Sequence, residues 1–377
     1  MVKTKISNWL ILIVLLIMLS SCHVGRFFYW NFADVKDCHR FPSDTIYPGQ
    51  YTFNFDTIQD DIHIPLPEAF NLKGNYENFE DFLKKQKTIA FIVIREDTII
   101  YEKYFSGYQS HSILPSFSVS KTFVSALIGF AIDDGYIKSV DEPVTNYLDG
   151  FKDQNFDQVT IRHLLNMRSG IKFNEGYFNP FGHMAKFYYG TNLKKYTYKL
   201  KVKETPGSSY AYLSCNTQII AMILEKATGK KLPDYLEEKI WIPLGMEKFG
   251  TWNFDSKKHH ATKAFCCINA KARDFAKFGR LYLNHGQWNG RQLLSRSWMD
   301  QSTEVANDSK DSQGYSYVYQ WRVKDENVVF AKGILGQFIY ADTDKDIIIL
   351  RFGKKAGKWN WPLLFDEISK EVSSIHL

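Results

Sequence analysis

Three regimes of hydrophobic patterning follow one another along the chain. Residues 9–19 are apolar without a break, behind Lys3 and Lys5. From 23 to about 75, Pro, Asp and Asn are scattered with little periodicity. That predicts a tether and an arm laid on a larger body, not a separate domain. Residues 78–86 have the spacing of a short helix. Residues 88–95 form a β-branched apolar run with the length of a buried strand. Glu96 and Asp97 supply a turn and 98–105 returns, which predicts a hairpin.

From Pro115 the pattern becomes helical. Residues 118–132 carry Phe123, Val124, Ala126, Leu127, Ile128, Phe130 and Ile132, apolar nearly all round, as in a buried central helix. Gly135 follows as its stop. A helix over 160–167 has Thr160 as N-cap, one over 217–227 ends at Gly229, and 269–283 is amphipathic. Strand signals return after Tyr317, over 328–331, 337–342 and 346–352. Residues 361–373 close the chain as a helix with Pro362 in its first turn. Strands at both ends with helices between them predict an α/β fold. Its antiparallel sheet comes from about 76–112 and 317–377, flanked by helices, with a mainly helical region over about 113–316 inserted. No repeat of 20–50 residues is visible.

Composition narrows the function classes. A chain of 377 residues with 45% apolar and 23% charged residues has ample material for a core. The net charge of +6 is spread along the chain, which argues against nucleic-acid binding. No glycine-rich phosphate loop implies a nucleotide, and no His-Glu-x-x-His implies a metal, so no cofactor is expected. The run 9–19 is too short to span a bilayer, which takes about 20 residues, but it has the length of a signal-peptide core. The stretch Leu19-Ser20-Ser21-Cys22 that follows resembles the bacterial lipoprotein processing box. The resemblance implies a signal peptide over 1–22, lipidation at Cys22, and an exported protein anchored to a membrane on its periplasmic or cell-surface side. Cys38, Cys215, Cys266 and Cys267 read equally as disulfide partners or as small buried hydrophobes.

Three motifs carry chemistry. In Ser118-Val119-Ser120-Lys121 the spacing of three places hydroxyl and amine on one helical face, so the lysine can take the proton that keeps a serine unreactive. In Pro206-Gly207-Ser208-Ser209-Tyr210-Ala211-Tyr212-Leu213-Ser214, a turn leads into an extended stretch that puts Tyr212 and Ser214 on one side, where a tyrosine can shuttle protons. In Ala331-Lys332-Gly333-Ile334-Leu335-Gly336 the two glycines would let a substrate lie along an edge strand, whose free N–H can bind an oxyanion. The absence of Gly-x-Ser-x-Gly argues against an α/β-hydrolase elbow. His259 and His260 read as a solvated loop, and His163 as a satisfied core histidine.

Ser-x-x-Lys, then Tyr-x-Ser, then a glycine-bearing strand, in that order, resembles the serine β-lactamase and penicillin-binding-protein superfamily. Thr160-Ile-Arg-His-Leu-Leu-Asn-Met-Arg-Ser-Gly170, Pro243-Leu-Gly-Met246, Ala272-Arg-Asp-Phe-Ala-Lys-Phe-Gly279 and Tyr319-Gln-Trp321 are similar to its esterase and amidase branch, especially the 6-aminohexanoate-dimer hydrolase type. The resemblance covers roughly residues 65–377. It implies a β-lactamase-like fold, a metal-free acyl-enzyme at Ser118, proton transfer by Lys121 and Tyr212, and an oxyanion hole at the N–H groups of Ser118 and Ile334. By the same resemblance Tyr177, Ser214 and Trp321 belong to the cleft with Gly333 and Gly336. Two positions depart from the pattern. Ala331 stands where a cation or donor for a substrate carboxylate is usual, with Lys332 on the opposite strand face, and Ser214 replaces a frequent Asn. The expectation is therefore a small-molecule ester, amide or short peptide as substrate. Two alternatives stay open: a β-lactamase or D-Ala-D-Ala carboxypeptidase acting on cell-wall peptides, and a non-catalytic penicillin-binding-like lipoprotein.

Overall fold

A computed structural model describes residues 23–30, 32–71 and 76–375; Cys22 lies outside them. In chain order the elements that matter are α1 (His23–Trp30), β1 (Ser43–Ile46), β2 (Asp56–Thr57), α2 (Phe79–Lys85), β3 (Thr88–Arg95), β4 (Thr98–Tyr104) and β5 (Leu114–Pro115). Then come α3 (Ser120–Asp133), α4 (Ile161–Leu165), α5 (His183–Tyr189), α6 (Ser214–Thr228), β6 (Gly250–Asn253), β7 (Ile268–Ala270) and α7 (Ala272–Leu283). The last group is β8 (Ser316–Val318), β9 (Trp321–Val323), β10 (Val328–Gly333), β11 (Gln337–Asp342), β12 (Ile347–Gly353) and α8 (Trp361–Ser373).

The main sheet has eight strands in the order β8-β9-β10-β11-β12-β3-β4-β2, so both chain ends build it. Every pairing is antiparallel except β2 with β4. All eight residues of β3 are buried, which explains its unbroken apolar run: both faces of the sheet are covered. Phe79, Phe82, Phe91, Phe338, Trp361 and Phe365 pack between one face and the helices α2 and α8. On the other face α7 lies against β11 and β12, and Phe123 of α3 stacks on Phe278 of α7 with ring centroids 3.7 Å apart. The turn between β3 and β4 places Glu96 and Asp97 at φ of 50° and 59°, the double left-handed geometry that matches strand twist.

Several expectations change. The middle of the chain is mainly helical but also holds β5, β6 and β7, which with β1 from the arm form a second, four-stranded sheet. Residues 268–270, expected to open a helix, are β7, and α7 starts at Ala272. These strands are two to four residues long, too short for a period-2 signal to stand out. The segment expected as a tether and arm carries α1, which packs along α5, and β1, which pairs with β6. Its periodicity is hidden because an eight-residue helix shows only two turns. Among the described residues no helix is long and apolar enough to cross a membrane. Cys266 and Cys267 are joined as a disulfide between neighbours, while Cys38 and Cys215 are buried thiols.

Candidate active site

Ser118 sits in a 3₁₀ turn, Phe117–Val119, that runs straight into α3. Phe117, just before it, has φ of 45° and a ring only 2% exposed. A bulky residue enters that left-handed region only when its surroundings impose it, and such strain clusters at functional positions. Lys121 lies one helical turn on and is 1% exposed. Its Nζ is 3.0 Å from Ser118 Oγ and donates to the Phe265 carbonyl at 2.7 Å. The same nitrogen stands 5.1 Å from the centroid of the Tyr212 ring. Tyr212 is set edge-on against Tyr317, centroids 5.8 Å apart, and the Arg322 guanidinium lies 5.8 Å from its ring. Two side chains one helical turn apart and a tyrosine remote in sequence thus meet in one cluster.

The glycine-bearing strand reaches the same place. A Cβ on Gly333 would lie 2.7 Å from the Ser116 carbonyl oxygen and 3.2 Å from the Ser118 nitrogen. Only a residue without a side chain lets the end of β10 lie flush against the serine turn. Ile334 follows at once and lines the same cleft as Ser118. The N–H groups of Ser118 and Ile334 therefore belong to neighbouring backbone segments, as an oxyanion hole requires. Gly333→Ala is expected to lower kcat/KM by about 10²-fold, the size of losing one aligned donor. Steady-state kinetics beside a melting curve check this; a fully active variant would contradict the close approach.

Three expected placements need correction. The strand β10 is not an edge strand: β11 pairs along it and β9 pairs with Val329 and Phe330. Gly336 is not in the cleft. It has φ of 85° in the β10–β11 turn, and Arg351 Nη1 donates to its carbonyl at 2.7 Å. Arg351 also stacks 3.7 Å over Trp361, so it clamps that turn from the core side. Trp321 is fully buried against Tyr282, 4.2 Å between centroids, and is core. It fills the sheet's inner face because β9 directs it there. Tyr177 and Ser214 do line the cleft. Ala331 is buried and Lys332 Nζ donates to Gln313 Oε1 at 2.6 Å. Burial, with repulsion from Arg322, pushes the Lys332 ammonium down to about 8. His163 is an element of the helix cap, its Nδ1 accepting from the Thr160 N–H at 3.2 Å. His260 does lie in an exposed loop, where it stacks 3.9 Å from Phe254 and contacts Asp44 at 2.9 Å.

Sequence reasoning overlooked Glu175. Its carboxylate accepts the Ser214 N–H at 2.8 Å, the Ser214 hydroxyl at 2.6 Å and the Tyr177 hydroxyl at 3.0 Å. Burial raises its pKa above the usual carboxylate range, against the pull of the nearby Lys121 charge and of the Ser214 donors. It is a positioning residue that holds the start of α6 and the cleft tyrosine together. The only signal in the chain was its place two residues before Tyr177. Glutamine offers one acceptor oxygen and an NH₂ that opposes the donors already there. Glu175→Gln is therefore expected to cost about tenfold in kcat/KM, in line with lost charged hydrogen bonds. In the wild type the rate should fall as pH drops through the raised carboxyl pKa, and that limb should vanish in the variant. An unchanged pH–rate profile would refute the role.

The cleft itself holds about 230 Å³. Phe117, Phe178, Met184, Phe265 and Leu335 line it beside Ser118, and among the described residues no charged side chain does. The N-terminal arm contributes Phe27, Phe32 and Ala33, which no sequence feature had indicated. Cys266 of the disulfide also faces it. Among the described residues no group of three or more His, Cys, Asp or Glu could hold a metal ion.

Known proteins similar to this chain share its fold. The family model described as Beta-lactamase matches residues 77–362. The 6-aminohexanoate-dimer hydrolase of Paenarthrobacter ureafaciens is 25% identical over 323 residues, which is 79% of this chain and 79% of that protein. The D-aminopeptidase of Brucella anthropi is 31% identical over 147 residues, 36% of this chain and 25% of that protein. Among solved structures, a Bacillus anthracis chain provisionally named 6-aminohexanoate-dimer hydrolase superposes with a TM-score of 0.77 at 24% identity, covering 88% of this chain and 90% of that one. A penicillin-binding protein from Bacillus halodurans gives 0.62 at 15% identity, over 79% and 99%.

Proposed function

Since this chain belongs to the β-lactamase family, a family of hydrolytic serine enzymes, we propose that it cleaves an ester or amide through an acyl-enzyme on Ser118. The 3.0 Å contact between Ser118 Oγ and Lys121 Nζ, beside the Tyr212 ring, carries this reading. The Ser118 oxygen attacks the substrate carbonyl carbon while its proton passes to the Lys121–Tyr212 pair. The carbonyl oxygen, now negative, is met by the N–H groups of Ser118 and Ile334. As the tetrahedral carbon collapses, the pair returns the proton to the departing alcohol or amine. Water then repeats the sequence against the acyl-enzyme, releasing the acid and restoring the Ser118 hydroxyl. The two partners share one proton inventory and titrate as a unit.

The side chains around the serine favour a plain ester or linear amide. The family's usual cation for a substrate carboxylate is missing at Ala331, and Lys332 is engaged by Gln313. Similarity to a 6-aminohexanoate-dimer hydrolase supports the linear amide. A non-catalytic role has no use for a strained serine turn, a buried lysine and a tyrosine in one cluster. From the resemblance of Leu19-Ser20-Ser21-Cys22 to the lipoprotein processing box, we propose as well that the enzyme is exported and held to a membrane through Cys22. A panel of p-nitrophenyl esters, short linear amides and a chromogenic β-lactam tests the substrate preference. Esters or amides are expected to turn over and the β-lactam to be hydrolysed at least tenfold more slowly. Faster β-lactam hydrolysis would move the enzyme to the cell-wall-directed branch, and failure to react with a fluorophosphonate would favour the binder.

A further inference from the structure

The surface around the cleft mouth is unusually aromatic. Phe28 is 66% exposed, Tyr29 83%, Phe178 79% and Phe181 68%. These rings are not scattered singly. Phe28 touches Phe27, Phe27 touches Phe32, and Phe32 touches Phe178, with centroids 5.6, 5.7 and 5.1 Å apart. The chain of contacts runs from the solvent side of α1 to the loop before α5 that borders the cleft, and Phe181 lies in that same loop. Phe27, Phe32 and Phe178 also line the cleft, so the outer patch continues into an interior with no charged side chain among the described residues. Large exposed apolar patches mark contact surfaces, and aromatic rings favour the boundary between water and lipid.

Two further observations select the occupant. The helix α1 begins at His23, immediately after Cys22, so any attachment of residues 1–22 to a membrane brings this face to it. The flank is also cationic: Lys172 is exposed and Lys186 half-buried, and the charges of both act on His183 beside the cleft loop. A second copy of the chain would have to bring like charge against like charge there, whereas anionic headgroups attract it. Resting on the acyl-enzyme reading above, we infer that this aromatic face seats on an anionic bilayer surface. Its cleft then takes the uncharged acyl group of an ester or amide that resides in the membrane. The attack at Ser118 is unchanged; what the face adds is delivery from the lipid phase.

The test uses the full chain carrying Cys22→Ala, which removes the acyl anchor, with and without Phe28→Ser, Tyr29→Ser and Phe181→Ser together. All three residues are exposed and outside the cleft lining. Flotation with vesicles of phosphatidylethanolamine and phosphatidylglycerol is compared with hydrolysis of two esters, water-soluble p-nitrophenyl acetate and a long-chain acyl ester dissolved in the vesicles. The triple variant is expected to float at least tenfold less and to lose at least tenfold on the vesicle ester, with p-nitrophenyl acetate unchanged within twofold. Equal flotation of both proteins would show that the run 9–19 does the binding, and would overturn the inference. Sedimentation as a dimer that the three substitutions dissolve would overturn it too, by making a second copy the occupant. Either result leaves the hydrolase reading intact; loss of p-nitrophenyl acetate hydrolysis by the parent protein would instead strike that reading.

Discussion

Ser118→Ala should lower kcat/KM by at least about 10⁴-fold, the scale seen when a nucleophile acting as part of a unit is removed. The fold should hardly notice. Ser118 lies in a short turn whose backbone is set by its neighbours, and its hydroxyl contributes one contact, to Lys121. One such hydrogen bond is worth about 0.5–1.5 kcal/mol net, so the melting midpoint should move by no more than about 4 °C. Assay and melting curve together check this. A variant that keeps a tenth of the activity would remove Ser118 from the chemistry.

Lys121→Met is the second large effect. Methionine keeps the apolar length of the side chain inside a helix that is buried along most of its course and deletes only the amine. With no amine 3.0 Å from Ser118 Oγ, the serine proton must leave through Tyr212 alone. Loss of a positioned proton acceptor costs about 10²–10⁴-fold. Labelling by a fluorophosphonate should slow by the same factor, because that reaction also begins with the Ser118 oxygen. Labelling at the wild-type rate would show that Lys121 only holds the Phe265 carbonyl.

How legible all this was depended on how local each signal is. The hairpin of β3 and β4, the buried helix α3 and the closing helix α8 announce themselves because each runs for at least seven residues in one period. The Ser118–Lys121 pair is equally local, since helical geometry alone brings residues three apart together. Tyr212 and Gly333 depend on the fold, and only a motif order shared with known enzymes pointed to them. What stayed hidden is what long-range packing creates. The second sheet is assembled from strands too short to show a pattern. The contribution of Phe27 and Phe32 to the cleft exists only because α1 docks on α5. Glu175 acquires its role from Ser214, 39 positions away. Trp321 and Gly336 erred in the other direction: each stands beside a motif that reaches the cleft, yet alternation along a strand and the Arg351 clamp turn them to the core.

Intact-protein mass spectrometry after rapid acid quench, during turnover of a p-nitrophenyl ester, tests the central claim most directly. The account predicts one added acyl mass per chain, located by peptide mapping to Ser118, and its absence in Ser118→Ala. An acyl group on any other residue, or turnover with no covalent species even when deacylation is slowed by a bulky acyl group, would contradict it.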